Sequence, residues 1–219
     1  MVYSISKFLL RVMLGLWFGL RVDGAANEPA AGPVVVVSNH LSDLDPLIVG
    51  AALKRRVGFM AKQELFRVPG VRWWISACGA FPVRRGEPDR QALRTALRLL
   101  ERGGALVMFP EGTRGTTREL RPPEPGAALL ALRTGATVLP VAVLGSDEVM
   151  PRGTHRIRRA AIRLRIGAPI PVPRPGAARA RGRRDREEID ALGRRFMGEI
   201  GQLLALPHAV MPQKSSSPK

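Results

Sequence analysis

The 219-residue sequence has one cysteine, one tyrosine and only five lysines, and each scarcity closes off a class of protein. Cys78 alone can form no internal disulfide, so the chain is no disulfide scaffold, and an isolated thiol suits a reducing compartment. It sits in an apolar segment before Gly79 with no base beside it in sequence, the setting of a small core residue rather than a nucleophile. Aromatic residues make up 5% of the chain, so aliphatic side chains must fill the core. They are also too sparse in the basic regions to stack on bases, and no recognition helix stands out, so no nucleic acid is expected as a partner. Internal repeats are absent. No cluster of metal-ligating residues appears, and no metal or cofactor is expected. The longest apolar stretch, 5–20, is broken by Lys7 and Arg11 and followed by Arg21. It is shorter than the ~20 residues a bilayer crossing needs.

What is abundant is positive charge. The net charge of +17 draws the chain toward polyanions: nucleic acid, an anionic membrane surface or phosphorylated substrates. Charge cannot choose among them, and the poverty in aromatics disfavours the first. The stretch 5–20 is best placed at a membrane surface, with Phe8, Trp17 and Phe18 at the acyl boundary and the basic residues among headgroups.

Beyond a Gly- and Pro-containing linker at 22–33, strand and helix signals alternate. Strands are expected at 34–37, 57–61, 80–83, 105–109 and 138–144, with helices at 46–54, 67–77, 89–102 and 126–134 between them. The segment 162–166 alternates apolar residues with Arg163 and Arg165, the pattern of an edge strand with one wet face. This order predicts an α/β protein built on a single mixed, largely parallel sheet flanked by helices. The stretch 187–205 reads as an amphipathic helix presenting Ile189, Leu192, Phe196, Ile200 and Leu203 on one face. A basic, proline-rich arm precedes it and a disordered tail follows.

The stretch Ser38-Asn39-His40-Leu41-Ser42-Asp43-Leu44-Asp45-Pro46 joins the buried valine run to the first of these helices. A regular helix puts neighbours three or four apart, so Asp45 needs a turn to meet His40. Two local geometries supply it: an extended Asp45 before Pro46, or a helix whose first turn already includes Asp45, capped by Ser42. Either lets the carboxylate fix one ring nitrogen and leave the other basic. A lone histidine before acids is ordinarily a solvated turn. What raises the pattern above that is a second loop, Phe109-Pro110-Glu111-Gly112-Thr113-Arg114-Gly115, leaving another buried strand. Open α/β sheets bind ligands at such carboxyl ends.

Asn39-His40 with Asp45, and Phe109-Pro110-Glu111-Gly112-Thr113-Arg114, resemble the two signature blocks of the glycerolipid acyltransferase family typified by bacterial 1-acylglycerol-3-phosphate acyltransferase. Gly79-Ala80-Phe81-Pro82-Val83-Arg84-Arg85 resembles its second block, Val138-Leu139-Pro140-Val141 its fourth, and Ala61-Lys62-Gln63-Glu64-Leu65-Phe66 also looks familial. The resemblance spans about residues 20 to 170. It implies transfer of a fatty acyl group from acyl-CoA or acyl carrier protein to the hydroxyl of lysophosphatidic acid. His40 would then be the base and Asp45 its orienter. Arg85 and Arg114 would fork onto the acceptor phosphate, with Lys62 as a weaker point charge and Gly112 letting the loop come close. A carboxylate would repel that phosphate, so Glu111 is given a positioning role, and Thr113 no more than a cap. The acyl thioester is a co-substrate. One departure stands out: Glu124 precedes Pro125-Gly126, where many members carry a basic residue, which bears on the acceptor's identity.

These expectations divide the chain into a membrane-associating helix (1–21), a catalytic domain (22–170), a basic arm with a C-terminal helix (171–206) and the tail (207–219). The implied partners are a lysophospholipid acceptor, an acyl thioester donor and an anionic membrane surface. The implied location is the cytoplasmic face of the cell membrane, as a peripheral or monotopic protein.

Overall fold

A computed structural model of the chain describes residues 2–84, 89–115, 119–154, 156–173 and 183–206. Its helices are α1 (Val2–Phe18), α2 (Asp45–Ala52), α3 (Pro69–Ala77), α4 (Arg90–Glu101), α5 (Gly126–Thr134), α6 (Ser146–Val149) and α7 (Arg183–Ala205). Its strands are β1 (Arg21–Asp23), β2 (Val34–Ser38), β3 (Val57–Lys62), β4 (Ala80–Val83), β5 (Ala105–Met108), β6 (Thr137–Leu144) and β7 (Arg163–Ile166). All seven strands form one sheet in the order β1-β7-β6-β2-β5-β3-β4. Every neighbouring pair is parallel except β6 with β7. The sheet is therefore mixed and largely parallel, as its alternating signals predict.

Both faces of the sheet are covered, which explains an unbroken valine run in place of an alternating one. Val34 and Val36 pack with Leu14 and Phe18 of α1 and with Ile48 and Val49 of α2. Val35 and Val37 face the opposite way, toward Ala96 of α4, Leu130 of α5 and Phe196 and Ile200 of α7. Each such side chain contributes about 1.5–3 kcal/mol by leaving water. From β2 the chain passes through α2 to β3, and from β5 through α5 to β6, so adjacent strands send their connections in opposite directions across the sheet. A crevice opens at such a reversal.

Two expectations are corrected. Within 22–33, expected as a linker, the residues Val22 and Asp23 belong to β1, which pairs in parallel with β7. Consequently β7 lies between β1 and β6 and is not an edge. Its alternation misleads as well, because Arg165 is only 4% exposed. Arg165 Nη1 donates to the Leu203 and Leu206 carbonyls at 2.6 and 2.9 Å, where the end of α7 leaves acceptors without helical partners. Among the described residues no helix is long and apolar enough to cross a membrane. Most of the basic arm (174–182) and the tail from 207 lie outside the described residues.

Helix α4 begins at Asp89, whose Oδ1 accepts from the Gln91 and Ala92 backbone N–H groups at 3.0 Å while Oδ2 accepts from that of Arg84, also at 3.0 Å. The donors from Ala92 and Arg84 hold this carboxyl below its ordinary range. A depressed acid stabilises the fold above its unfolded pKa, and that stability is lost as pH falls through the folded value. Asp89→Ala should therefore cost ~1 kcal/mol at neutral pH. Denaturant titrations of both proteins should show the gap closing in strong acid; a gap independent of pH would remove the carboxylate from this role.

Candidate active site

The two loops meet because their strands are adjacent and in register. Val37 of β2 stands opposite Met108 of β5, so His40 and Phe109 leave the sheet side by side. Their rings stack with centroids 4.2 Å apart and planes 25° from parallel. His40 is 3% exposed and Asp45 fully buried.

Asp45 opens α2, with Pro46 next in its first turn, so of the two local geometries the helical one holds, but without the expected Ser42 cap: the N-cap position is Leu44, which makes no side-chain cap bond, and Ser42 Oγ only accepts from the Leu44 N–H at 3.4 Å. The chain between them folds back through a turn in which the Asp45 N–H donates to the Ser42 carbonyl at 3.1 Å. Asp45 Oδ2 then receives His40 Nδ1 at 2.9 Å and the backbone N–H groups of Leu41 and Ser42 at 2.7 and 2.8 Å. An acceptor at Nδ1 places the proton there and leaves the lone pair on Nε2. Asp45 Oδ1 is buried and has no hydrogen-bond partner among the described residues.

The second loop grips the peptide of His40 from both ends. Glu111 Oε1 accepts the His40 N–H at 3.2 Å, and the Gly115 N–H donates to the His40 carbonyl at 2.8 Å. Glu111 Oε2 accepts from the Arg121 N–H at 3.4 Å and lies 3.8 Å from its Nε. Arg121 Nη2 in turn donates to the Thr113 carbonyl at 2.7 Å. The carboxylate is thus neutralised by Arg121 and a loop amide. Gly112 has φ +71°, a backbone conformation that strains other side chains, and a Cβ there would displace the Glu124 carboxylate. Glu124, the departure noted above, therefore stands directly against this loop. The exposed Thr113 hydroxyl makes one long bond, to the Arg114 carbonyl at 3.4 Å.

Arg114 Nη1 meets Asp43 Oδ2 at 2.6 Å, tying the two loops together a second time. That bond uses one of the five N–H donors of a guanidinium. Arg152 Nη1 donates to the Arg114 carbonyl at 3.3 Å. Lys62 is exposed at the end of β3, opposite Val83 of β4. Arg85 lies outside the described residues, as do His155 and His208. The structure thus brings together His40, Asp45, Glu111, Gly112, Thr113 and Arg114, and sets Lys62 on the next strand beyond β5. Among the described residues no group of His, Cys, Asp or Glu side chains is arranged to hold a metal ion.

Four contributors had no role assigned from the sequence, although Asn39 stands in the first resembling block. Asn39 Nδ2 donates to the Val143 carbonyl at 2.9 Å and Oδ1 accepts the Val143 N–H at 2.8 Å, fastening the loop to β6. Asp43, Arg121 and Arg152 act through partners remote in sequence; only the place of Asn39 and Asp43 inside the first loop pointed to them. Beside Asn39, Leu41 and Glu111 opens a cavity of about 700 Å³, walled largely by apolar groups such as Leu120, Val143 and Leu204. It lies over β6, β7 and β1, on the side of His40 away from Lys62.

The chain matches the model of the Acyltransferase family over residues 19–144. It is 31% identical over 172 residues to a chloroplastic 1-acyl-sn-glycerol-3-phosphate acyltransferase of Arabidopsis thaliana, an alignment covering 77% of this chain and 48% of that protein. Against the 1-acyl-sn-glycerol-3-phosphate acyltransferase of Bacillus subtilis the identity is 30% over 170 residues, 77% of this chain and 82% of that one. The chain thus spans about half the length of the plant relatives it matches. The crystal structure of the 1-acyl-sn-glycerophosphate acyltransferase from Thermotoga maritima superposes with a TM-score of 0.72 at 27% identity, covering 94% of this chain and 81% of that one. Both site loops fall within the matched segment, and the chain belongs to the acyltransferase family.

Proposed function

We propose that this protein transfers a fatty acyl group from acyl-CoA or acyl carrier protein to the free hydroxyl of lysophosphatidic acid, giving phosphatidic acid. The observation that carries this is the buried His40–Asp45 pair at 2.9 Å, set where the loops leaving β2 and β5 meet in a chain of this family. His40 Nε2 removes the acceptor's hydroxyl proton as that oxygen attacks the thioester carbonyl. Collapse of the tetrahedral intermediate breaks the C–S bond, and the imidazolium returns the proton to the departing thiolate. No covalent enzyme intermediate is required, since the acceptor hydroxyl stands where a serine otherwise would. Asp45 fixes the tautomer and stabilises the imidazolium, while Glu111, on the His40 N–H, and Asn39, fastened to the Val143 backbone, act as positioning residues.

The acceptor phosphate is assigned to Arg114 and Arg85, with Lys62, exposed at the end of β3, as a weaker point charge. The acyl chain is assigned to the apolar cavity. A second acceptor, another lysophospholipid or glycerol 3-phosphate, has one observation in its favour: the Glu124 carboxylate against Gly112 adds negative charge beside the proposed phosphate loop. The protein is placed on the cytoplasmic face of a membrane through α1, which exposes Phe8, Leu9, Leu16 and Trp17 while burying Leu14 and Phe18 in the core.

His40→Ala should lower turnover about 10²–10⁴-fold with an unchanged circular-dichroism spectrum. Full activity in that variant would eliminate the mechanism, and undetectable acyl transfer by the wild type would favour a non-catalytic membrane binder. Arg114→Ala should raise KM for lysophosphatidic acid roughly tenfold or more, in line with a charge-assisted hydrogen bond, and leave KM for the dephosphorylated monoacylglycerol unchanged. Equal effects on both acceptors would separate Arg114 from the phosphate. Phe8→Ser with Leu16→Ser should reduce co-sedimentation with anionic vesicles without altering thermal stability; unchanged sedimentation would take α1 off the membrane.

A further inference from the structure

The proposed chemistry makes no use of α3, yet that helix presents an exposed apolar face that none of the described residues covers. None of its nine residues is buried. Trp73 is 63% exposed, Val68 just before the helix 53%, and Leu65, Val71 and Trp74 are exposed as well. Scattered apolar side chains on a surface need no explanation, but five within ten residues form a patch, and patches mark interaction surfaces. An open groove of about 630 Å³ runs along it, lined by Phe66, Arg67, Pro69, Arg72 and Trp73. Both arginines are exposed, and no acidic residue occurs between Glu64 and Glu87.

The patch continues into α1. Trp74 Nε1 donates to Ser6 Oγ at 3.1 Å, and Arg56 lies over the Tyr3 ring at 4.9 Å. The first acidic residue of the chain is Asp23, so α1 carries none either. All three tryptophans of the chain, Trp17, Trp73 and Trp74, stand on these two helices. Tryptophan prefers the headgroup level of a bilayer, and arginine beside it meets lipid phosphate. A face combining both, in which Glu64 is the one acid between residues 63 and 77, on a chain of charge +17 complements an anionic lipid surface.

We infer that α3, with the Gln63–Arg67 turn before it, is a second bilayer-contact element: it sets Leu65, Val68 and Trp73 into an anionic leaflet while Arg67 and Arg72 meet lipid phosphates. This rests on the placement of α1 at the membrane and adds to it. One helix lying in an interface leaves the body free to roll about the helix axis; a second contact removes that freedom. The Gln63–Arg67 turn leaves the carboxyl end of β3, the same end of the sheet from which the His40 loop emerges, so the second contact brings the membrane to the rim of the active site. A lipid acceptor then reaches the base without leaving its leaflet.

The test uses the full chain with Trp17→Phe and Trp74→Phe, leaving Trp73 as reporter, and vesicles of mixed phosphatidylcholine and phosphatidylglycerol with brominated acyl chains. Trp73 emission should shift to the blue and be quenched by bromine, and vesicles of phosphatidylcholine alone should bind several-fold more weakly. In the otherwise native chain, Val68→Ser with Trp73→Ser should lower vesicle partitioning about tenfold and leave acyl transfer to a dispersed acceptor unchanged. Aqueous emission from Trp73 in the presence of vesicles that quench a Trp17-only variant overturns the proposal and leaves α1 on the membrane. Silence at both tryptophans defeats both assignments. A lipid-free dimer dispersed by Val68→Ser with Trp73→Ser gives the patch to a second copy of the chain and likewise overturns it.

Discussion

The site depends on the peptide of His40 being held at both ends by a loop 71 residues further along the chain. An imidazole is a directed base only when its ring cannot turn. Its side chain is fixed by Asp45, but its backbone is fixed by Glu111 and Gly115. Asn39 adds a third anchor by completing the hydrogen bonds of Val143 at the end of β6. Each bond is worth only about 0.5–1.5 kcal/mol net, whereas leaving one partner buried and unpaired costs more. The network therefore holds as a unit. Its one open position, Asp45 Oδ1, is the kind of buried unpaired atom that structural sites avoid and functional sites contain.

Around this anchor the crevice is asymmetric. Toward β3 lies Lys62; over β6, β7 and β1 lies a largely apolar cavity whose wall also carries Arg21, Glu119, Glu148 and Arg163. The proposed acceptor, with a charged head and a long hydrocarbon tail, would meet both halves at once, with its reactive hydroxyl near the base. The Glu111 carboxylate is occupied by the His40 and Arg121 backbone amides and lies 3.8 Å from Arg121 Nε. Glu124 is the residue that disturbs this arrangement, since it brings an acid to the loop that also carries Arg114.

Much of the frame was readable in advance for local reasons. Val34 to Val37 announced a buried strand, and the periodicity over 89–102 announced α4, because burial and helical patterns are properties of neighbouring residues. The short β1 left no such trace: three residues of mixed character become a strand only because β7 offers a free edge. Arg165 deceived for the same reason, as its alternation said solvent while the end of α7 supplied buried acceptors.

Taken alone, the sequence determined the α/β class, the order of elements and the identity of the two loops, since these depend on periodicity, turn chemistry and motif residues a few positions apart. It also limited how His40 and Asp45 could meet. Only the tertiary structure decided that Glu111 would hold the His40 backbone, that Arg114 would pair with Asp43, and that Glu124 would press on Gly112. Those contacts arise from which strands lie side by side and in what register. Strand order is a property of the whole packed chain, because a parallel sheet is closed by crossovers whose partners may lie anywhere along it.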